Sequence, residues 1–374
     1  MKNYPFPVKV TFYLLSLILF LYSIIVAKRF LSPIILGMLF AYMLFPLSNF
    51  LEKNHFPRII AILISIFLLI NLLFWVGLLI YKRMEHFANT FPLFKAQALK
   101  NIDDIEALLA EKFNISEFHL IEFIRAQIKG LFASGNTFMT RLISAASSTL
   151  FTIGILPVYI FLFLYYRTKL ANFFLKLIPS HKKRIAIKIL KEISMVATHY
   201  MGGISIVVAI ICMMNTTGLY LLGIKYPFML GALAACFTFI PYFGTLIGSL
   251  IPISFTLLTS TPIDAFRVLL LFIFNHFIEN NLLTPNIVGS NLELSPLVII
   301  IGIIAGGMVW GITGMFAIVP IMAMLSIICK YQKNLQPYYF LLGVTGTRRH
   351  ALTIENIKNF WNKVKSKFFS NSKQ

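Results

Sequence analysis

Apolar residues run through this chain in stretches longer than a soluble core helix needs, and polar residues break them at few places. Runs at about 10–26, 30–51, 59–81, 142–165, 203–222 and 265–283 each approach or exceed the roughly 18–20 residues that carry a helix across hydrocarbon. Each is predicted to be a spanning helix. Two further runs, 228–258 and 297–328, are longer still. A straight helix of 31 residues would extend about 46 Å against a bilayer core of about 30 Å, so these segments must tilt strongly, project into water or fold back.

Both long runs carry breakers near their middles. Pro241-Tyr242-Phe243-Gly244, then Gly248 and Pro252, interrupt the first; Gly306-Gly307, Gly311 and Gly314, then Pro320, interrupt the second. Proline removes a backbone donor and glycine permits a tight turn. Pro227 to Pro252 is 25 positions and Pro296 to Pro320 is 24, a weak internal repeat. Backbone polar groups in lipid must be paired, so interrupted helices with buried polar groups point to a water-filled cavity or a bound solute. Matched interruptions in two halves are the best sequence pointer to a transporter binding site.

The predicted fold is all-α and polytopic, with six full spans plus two opposed re-entrant broken hairpins. If both long runs cross instead, there are eight spans. Both termini are cytoplasmic in either arrangement, and the side on which Ser290 to Leu294 lies separates the two. The predicted organisation is N-terminal transmembrane helices at 1–80, an extracytoplasmic helical insertion at 81–141, a transport region with broken helices at 142–328 and a basic cytoplasmic tail at 329–374.

Charge fixes the orientation. The chain is 58% hydrophobic and only 12% charged, with a formal charge of +20; on a soluble protein that excess would suggest nucleic acid. Here Lys and Arg concentrate at 167–191 and from Lys330 to Lys373, with Glu192 and Glu355 the acids of those regions, whereas the insertion is nearly balanced. The positive-inside rule places both basic stretches in the cytoplasm and the insertion outside. Attraction to anionic lipid accounts for the excess without a nucleic-acid partner. Ile185, Ile189, Ile193 and Val196 share one helical stripe opposite the bases, which suits a helix lying on the inner surface before turning in. The insertion reads as amphipathic helices, one starting near Asn101 and another near Ser116.

Glu279 is the acid within an apolar span, and an intramembrane carboxylate is a functional-site hypothesis by default. Asn275, His276 and Asn280 surround it on the helix. It could couple proton movement to transport, or it could cap or pair structurally. His276 and Glu279, three apart, are too few ligands for a metal, so neither a metal nor a cofactor is expected. Thr238 and Thr245 flank Pro241, where freed backbone groups would help bind a polar solute. Asn215, Thr216 and Thr217 could line a pathway or bond to neighbouring helices. The glycines Gly306, Gly307, Gly311 and Gly314 suit close helix packing as well as a mobile binding loop. No G-x-x-x-x-G-K-[ST] occurs, so ATP-driven transport by this chain is unsupported, and no hydrolytic constellation suggests an enzyme. Cys212, Cys236 and Cys329 read as small buried hydrophobes.

Ile240-Pro241-Tyr242-Phe243-Gly244 with Gly248 and Pro252, then Ile278-Glu279-Asn280-Asn281, Pro285-Asn286-Ile287-Val288-Gly289, Leu294-Ser295-Pro296-Leu297, Gly306-Gly307, Gly311, Gly314 and Pro320, resemble the autoinducer-2 exporter family of bacterial inner-membrane proteins. The resemblance is specific in the C-terminal half and topological before residue 200; Ser295 stands where the family pattern has a histidine before the proline. It implies a homo-oligomeric, multi-pass secondary transporter, some members exporting the quorum signal autoinducer-2 and others exchanging sodium for protons. The expected pathway residues are Thr238, Pro241, Tyr242, Gly244, Thr245, Gly248, Pro252, Asn275, Glu279, Asn280, Pro285, Gly289, Gly306, Gly307, Gly311, Gly314 and Pro320. The expected partners are a small polar solute, a coupled proton or sodium ion, and anionic lipid. A sodium/proton antiporter and a non-transporting scaffold are the alternatives.

Overall fold

A computed structural model of the chain describes residues 5–79, 82, 101, 135–288 and 294–343, and no strand occurs among them. Most of the insertion, Gly289 and the tail beyond residue 343 lie outside the described residues. In chain order the helices are α1 (Phe6–Val26), α2 (Lys28–Lys53), α3 (Arg58–Leu79), α4 (Gly135–Lys176) and α5 (Lys183–Leu221). Then come α6 (Pro227–Phe237), α7 (Phe243–Thr259) and α8 (Pro262–Ile278), the last prolonged by wider π-helical turns over Glu279–Val288. Helices α9 (Pro296–Trp310), α10 (Ile312–Tyr331) and α11 (Gln336–Leu342) complete the order. Among the described residues α1, α2, α3, α5 and α10 are long and apolar enough to cross a membrane.

The long helix α5 is the axis of the C-terminal half. Its first part, expected to lie apart on the membrane surface, instead continues without a break into the apolar part. The reason is local: residues 183–201 contain neither proline nor glycine, so nothing interrupts the hydrogen-bond ladder. Helix α8 runs antiparallel to it. A Cβ on Gly203 would stand 2.9 Å from the Cα of Val288, and one on Gly218 would stand 2.5 Å from the Leu271 side chain.

Both long apolar runs are broken into antiparallel helix pairs at their predicted breakers. In the first pair, α6 and α7, a Cβ on Gly248 would lie 2.5 Å from the carbonyl oxygen of Ala234, and one on Gly244 would overlap that of Phe237. Backbones that close leave room only for hydrogen atoms, which is why glycine occupies both positions. The turn closes with the Gly244 N–H donating to Ile240 O at 2.9 Å and with Tyr242 at φ 64°. Helix α6 has 11 residues, about 16 Å, far short of a bilayer core. In the second pair, α9 and α10 turn at Gly311, φ 66°, and Gly306 and Gly314 face one another, a Cβ on Gly306 falling 2.6 Å from Gly314 O.

The two pairs grip α5 from opposite ends. At its C-terminal end, Leu219 and Ile224 pack with Met229 and Phe255 at the open end of the first pair. At its N-terminal end, Glu192 accepts a hydrogen bond from the Tyr331 hydroxyl and pairs with Lys330 Nζ at 3.8 Å, both at the open end of the second pair. Glu192 and Leu219 are about 40 Å apart along a straight helix. The tips meet between them: Phe239 stands edge-on to Phe316 with ring centroids 5.4 Å apart, and Phe40 of α2 lies 6.4 Å from the same ring.

Helices α2, α3 and α4 pack together around Ala41, Leu44, Ile62, Ile66, Ile160 and Leu164, and Leu39 of α2 joins this group to the core around α5. Arg167 pairs with Glu52 at 2.5 Å and Arg58 donates to Leu164 O at 2.8 Å at one end of it. From the insertion, Asn101 Nδ2 donates to Leu257 O at 2.6 Å and to Ser260 O, capping the end of α7. That contact places the open end of the first helix pair beside Asn101.

Candidate functional site

Helices α5, α6, α7 and α8 enclose a partly open cavity of about 120 Å³ where the first helix pair turns back. Ligand sites for drug-sized molecules measure roughly 300–1,000 Å³, so this one suits a small solute. Ile211, Ala234, Leu246, Leu269, Phe272 and Ile273 supply apolar wall; Asn215, Thr238, Thr245, Ser249, Asn275, His276 and Glu279 supply the polar groups.

The winding of α8 places Glu279 there. Past Ile278 the helix widens into π turns that include Pro285, which has no N–H to give. Side-chain amides serve carbonyls along this stretch: Asn281 Nδ2 donates to Phe277 O at 2.8 Å and Asn286 Nδ2 to Leu282 O at 2.7 Å. Such π segments concentrate at functional positions. Glu279 is 7% exposed and sits at the junction, its N–H closing onto the Asn275 and His276 carbonyls. His276 Nδ1 lies 3.7 Å from Glu279 Oε2, too far for a hydrogen bond. His276 Nε2 is 2.9 Å from Asn280 Nδ2. His276 and Glu279 are the titratable residues of the lining.

Opposite them, Asn275 Nδ2 donates to Asn215 Oδ1 at 2.9 Å, joining α8 to α5 with both side chains buried. The Thr238 hydroxyl is buried with no hydrogen-bond partner among the described residues. Replacing either asparagine by leucine orphans the other amide, at a cost of about 1–3 kcal/mol, whereas replacing both removes the unpaired group. In a thermal-melting cycle the Asn215→Leu/Asn275→Leu double variant is expected to be less destabilised than the two single losses added together; strict additivity would dissolve the claimed pairing.

Of the residues expected from sequence, Thr238, Thr245, Asn275 and Glu279 line the cavity together, and Asn280 contacts it through His276. Pro241 and Tyr242 form the adjoining turn, Tyr242 half exposed. Gly244 and Gly248 hold α6 against α7, and Pro252 is buried in α7. Pro285 shapes the π turns. Gly306, Gly307 and Gly314 pack α9 on α10, Gly311 makes their turn and Pro320 is buried in α10; these five lie outside the cavity. Gly289 lies outside the described residues. Ser249 and the pairing of Asn215 with Asn275 were not singled out from sequence; the four-residue step from Thr245 to Ser249 on α7 was the available signal for the former.

Long apolar helices, broken helix pairs and a carboxylate in a partly open cavity define a multi-pass membrane protein of the transporter class. Residues 14–334 match the AI-2E family transporter profile, and the chain belongs to that family. The chain is similar to YrrI of Bacillus subtilis strain 168, which bears a provisional transport-protein name, at 26% identity over 322 residues, covering 81% of this chain and 86% of YrrI. It is likewise similar to the AI-2 transport protein TqsA of Escherichia coli K12, at 25% identity over 341 residues, covering 90% of this chain and 95% of TqsA.

Proposed function

We propose that this protein is a secondary transporter of the bacterial inner membrane that exports a small polar molecule such as the quorum signal autoinducer-2. The observation that carries the reading is Glu279, buried in a cavity of hydroxyls and amides where a helix pair turns back. Lipid does not tolerate that assembly without use. The relative TqsA, named for autoinducer-2 transport, supports the choice of solute. Access alternates as the two opposed helix pairs move against the α2–α4 group, with Glu279 carrying a coupled proton or sodium ion. Helix α1, whose apolar face is largely unpacked within the chain, meets lipid or a second copy in a homo-oligomer. The basic stretches hold anionic lipid on the cytoplasmic side.

The test is flux of autoinducer-2 and a panel of small metabolites in proteoliposomes, with and without sodium and proton gradients. Gradient-driven movement of a polar solute is expected; no solute flux in any condition would end the exporter reading, and a sodium-dependent pH change alone would replace it with ion exchange. The membrane placement has its own test. With re-entrant pairs, a cysteine introduced at Asn291 is labelled from the cytoplasmic side only; labelling from outside requires both long runs to cross.

A further inference from the structure

We infer that His276 is a positioning residue for Glu279, holding the carboxylate through an Nδ1–H whose place on the ring Asn280 fixes; this rests on the transport reading of the cavity. The amide nitrogen of Asn280 can only donate, and it lies 2.9 Å from His276 Nε2. Nε2 therefore accepts, and the single proton of the neutral ring sits on Nδ1. That atom is buried, has no hydrogen-bond partner among the described residues and faces Glu279 Oε2 at 3.7 Å. An approach of under about 1 Å completes the bond.

The two side chains are three residues apart across the junction between α and π winding. Their separation depends on where that junction lies, so a small change in winding makes or releases the contact. The polar side chains that α5, α6 and α7 turn toward the pair are Asn215, Thr238, Thr245 and Ser249, all neutral. Among the described residues no other charge in the lining competes for the carboxylate. The imidazole thus orients Glu279 without itself being the proton carrier. His276 and Glu279 are too few ligands for a metal; the orphaned Nδ1 gives the histidine a role.

Two measurements test this. In liposomes, protein labelled with ¹⁵N-histidine, compared with His276→Asn to isolate the ring, is expected to show the Nδ1–H tautomer at position 276, and Asn280→Ala to shift it toward Nε2–H. An Nε2–H or doubly protonated ring in the unaltered protein would overturn the inference. Autoinducer-2 flux supplies the second readout, because an asparagine amide nitrogen falls near the Nδ1 position and a glutamine one near Nε2. His276→Asn is expected to keep at least a third of the flux with the pH profile unmoved, whereas His276→Gln and His276→Ala lose at least tenfold. Equal rescue by Asn and Gln, or a displaced pH profile in His276→Asn, also overturns it. If the unaltered protein carries no autoinducer-2, the transport reading fails on that solute while the tautomer still decides this inference.

Discussion

Glu279→Ala is expected to lower solute flux in proteoliposomes by ten- to a hundredfold or more, while Glu279→Asp keeps measurable activity and Glu279→Gln does not. The magnitude follows from the surroundings. A charge-assisted hydrogen bond is worth about 1.5–3 kcal/mol, and each 1.4 kcal/mol is a factor of about ten in an equilibrium or rate. Glu279 is 7% exposed and shares its cavity, among the described residues, with one other titratable side chain, His276, so none of these can replace its carboxylate. Aspartate keeps the carboxylate about one methylene short; glutamine keeps the shape but can neither take up nor release a proton. Flux in Glu279→Ala equal to that of the unaltered protein would remove the residue from the mechanism.

Gly244→Val is expected to abolish the folded protein rather than merely slow it. A Cβ at position 244 would overlap the carbonyl oxygen of Phe237. The obstacle is backbone, which cannot rotate aside as a side chain can, so the cost exceeds the usual overpacking range of about 1–3 kcal/mol. The control is Gly202→Ala on α5, where an added Cβ meets nothing within 4 Å and loss of glycine's backbone freedom stabilises the helix by up to about 1 kcal/mol. Monodisperse elution and melting in detergent read both. A Gly244→Val protein that elutes and melts like Gly202→Ala would show that the two helices do not pack backbone to backbone.

Hydropathy made the helices legible, because twenty-odd apolar residues in a row leave lipid as the natural surroundings. The breakers were legible too: Pro241 lacks the N–H that would continue a helix, and Gly311 takes the positive φ of the second turn, whereas the positive φ of the first turn falls on Tyr242. Spacing could not tell a packing glycine from a binding one. Gly306 and Gly314 proved to be packing contacts, since their partners lie eight residues away across a turn. Nor could it bring Asn215 to Asn275, 60 residues apart; pairing between helices depends on rotation about their axes, which a linear pattern does not encode. The surface helix expected at 185–196 fused with its neighbour because amphipathicity reports which face is apolar and not where a helix ends.

The aromatic contact between the two helix tips has a mechanical consequence. Phe239 and Phe316 touch edge to face at 5.4 Å, an arrangement worth about 0.5–1.5 kcal/mol beyond its buried area, and nothing in a ring-on-ring contact has to be unlatched before it can slip. Under the proposed alternating access, rings that glide while staying in touch let the two helix pairs shift without parting.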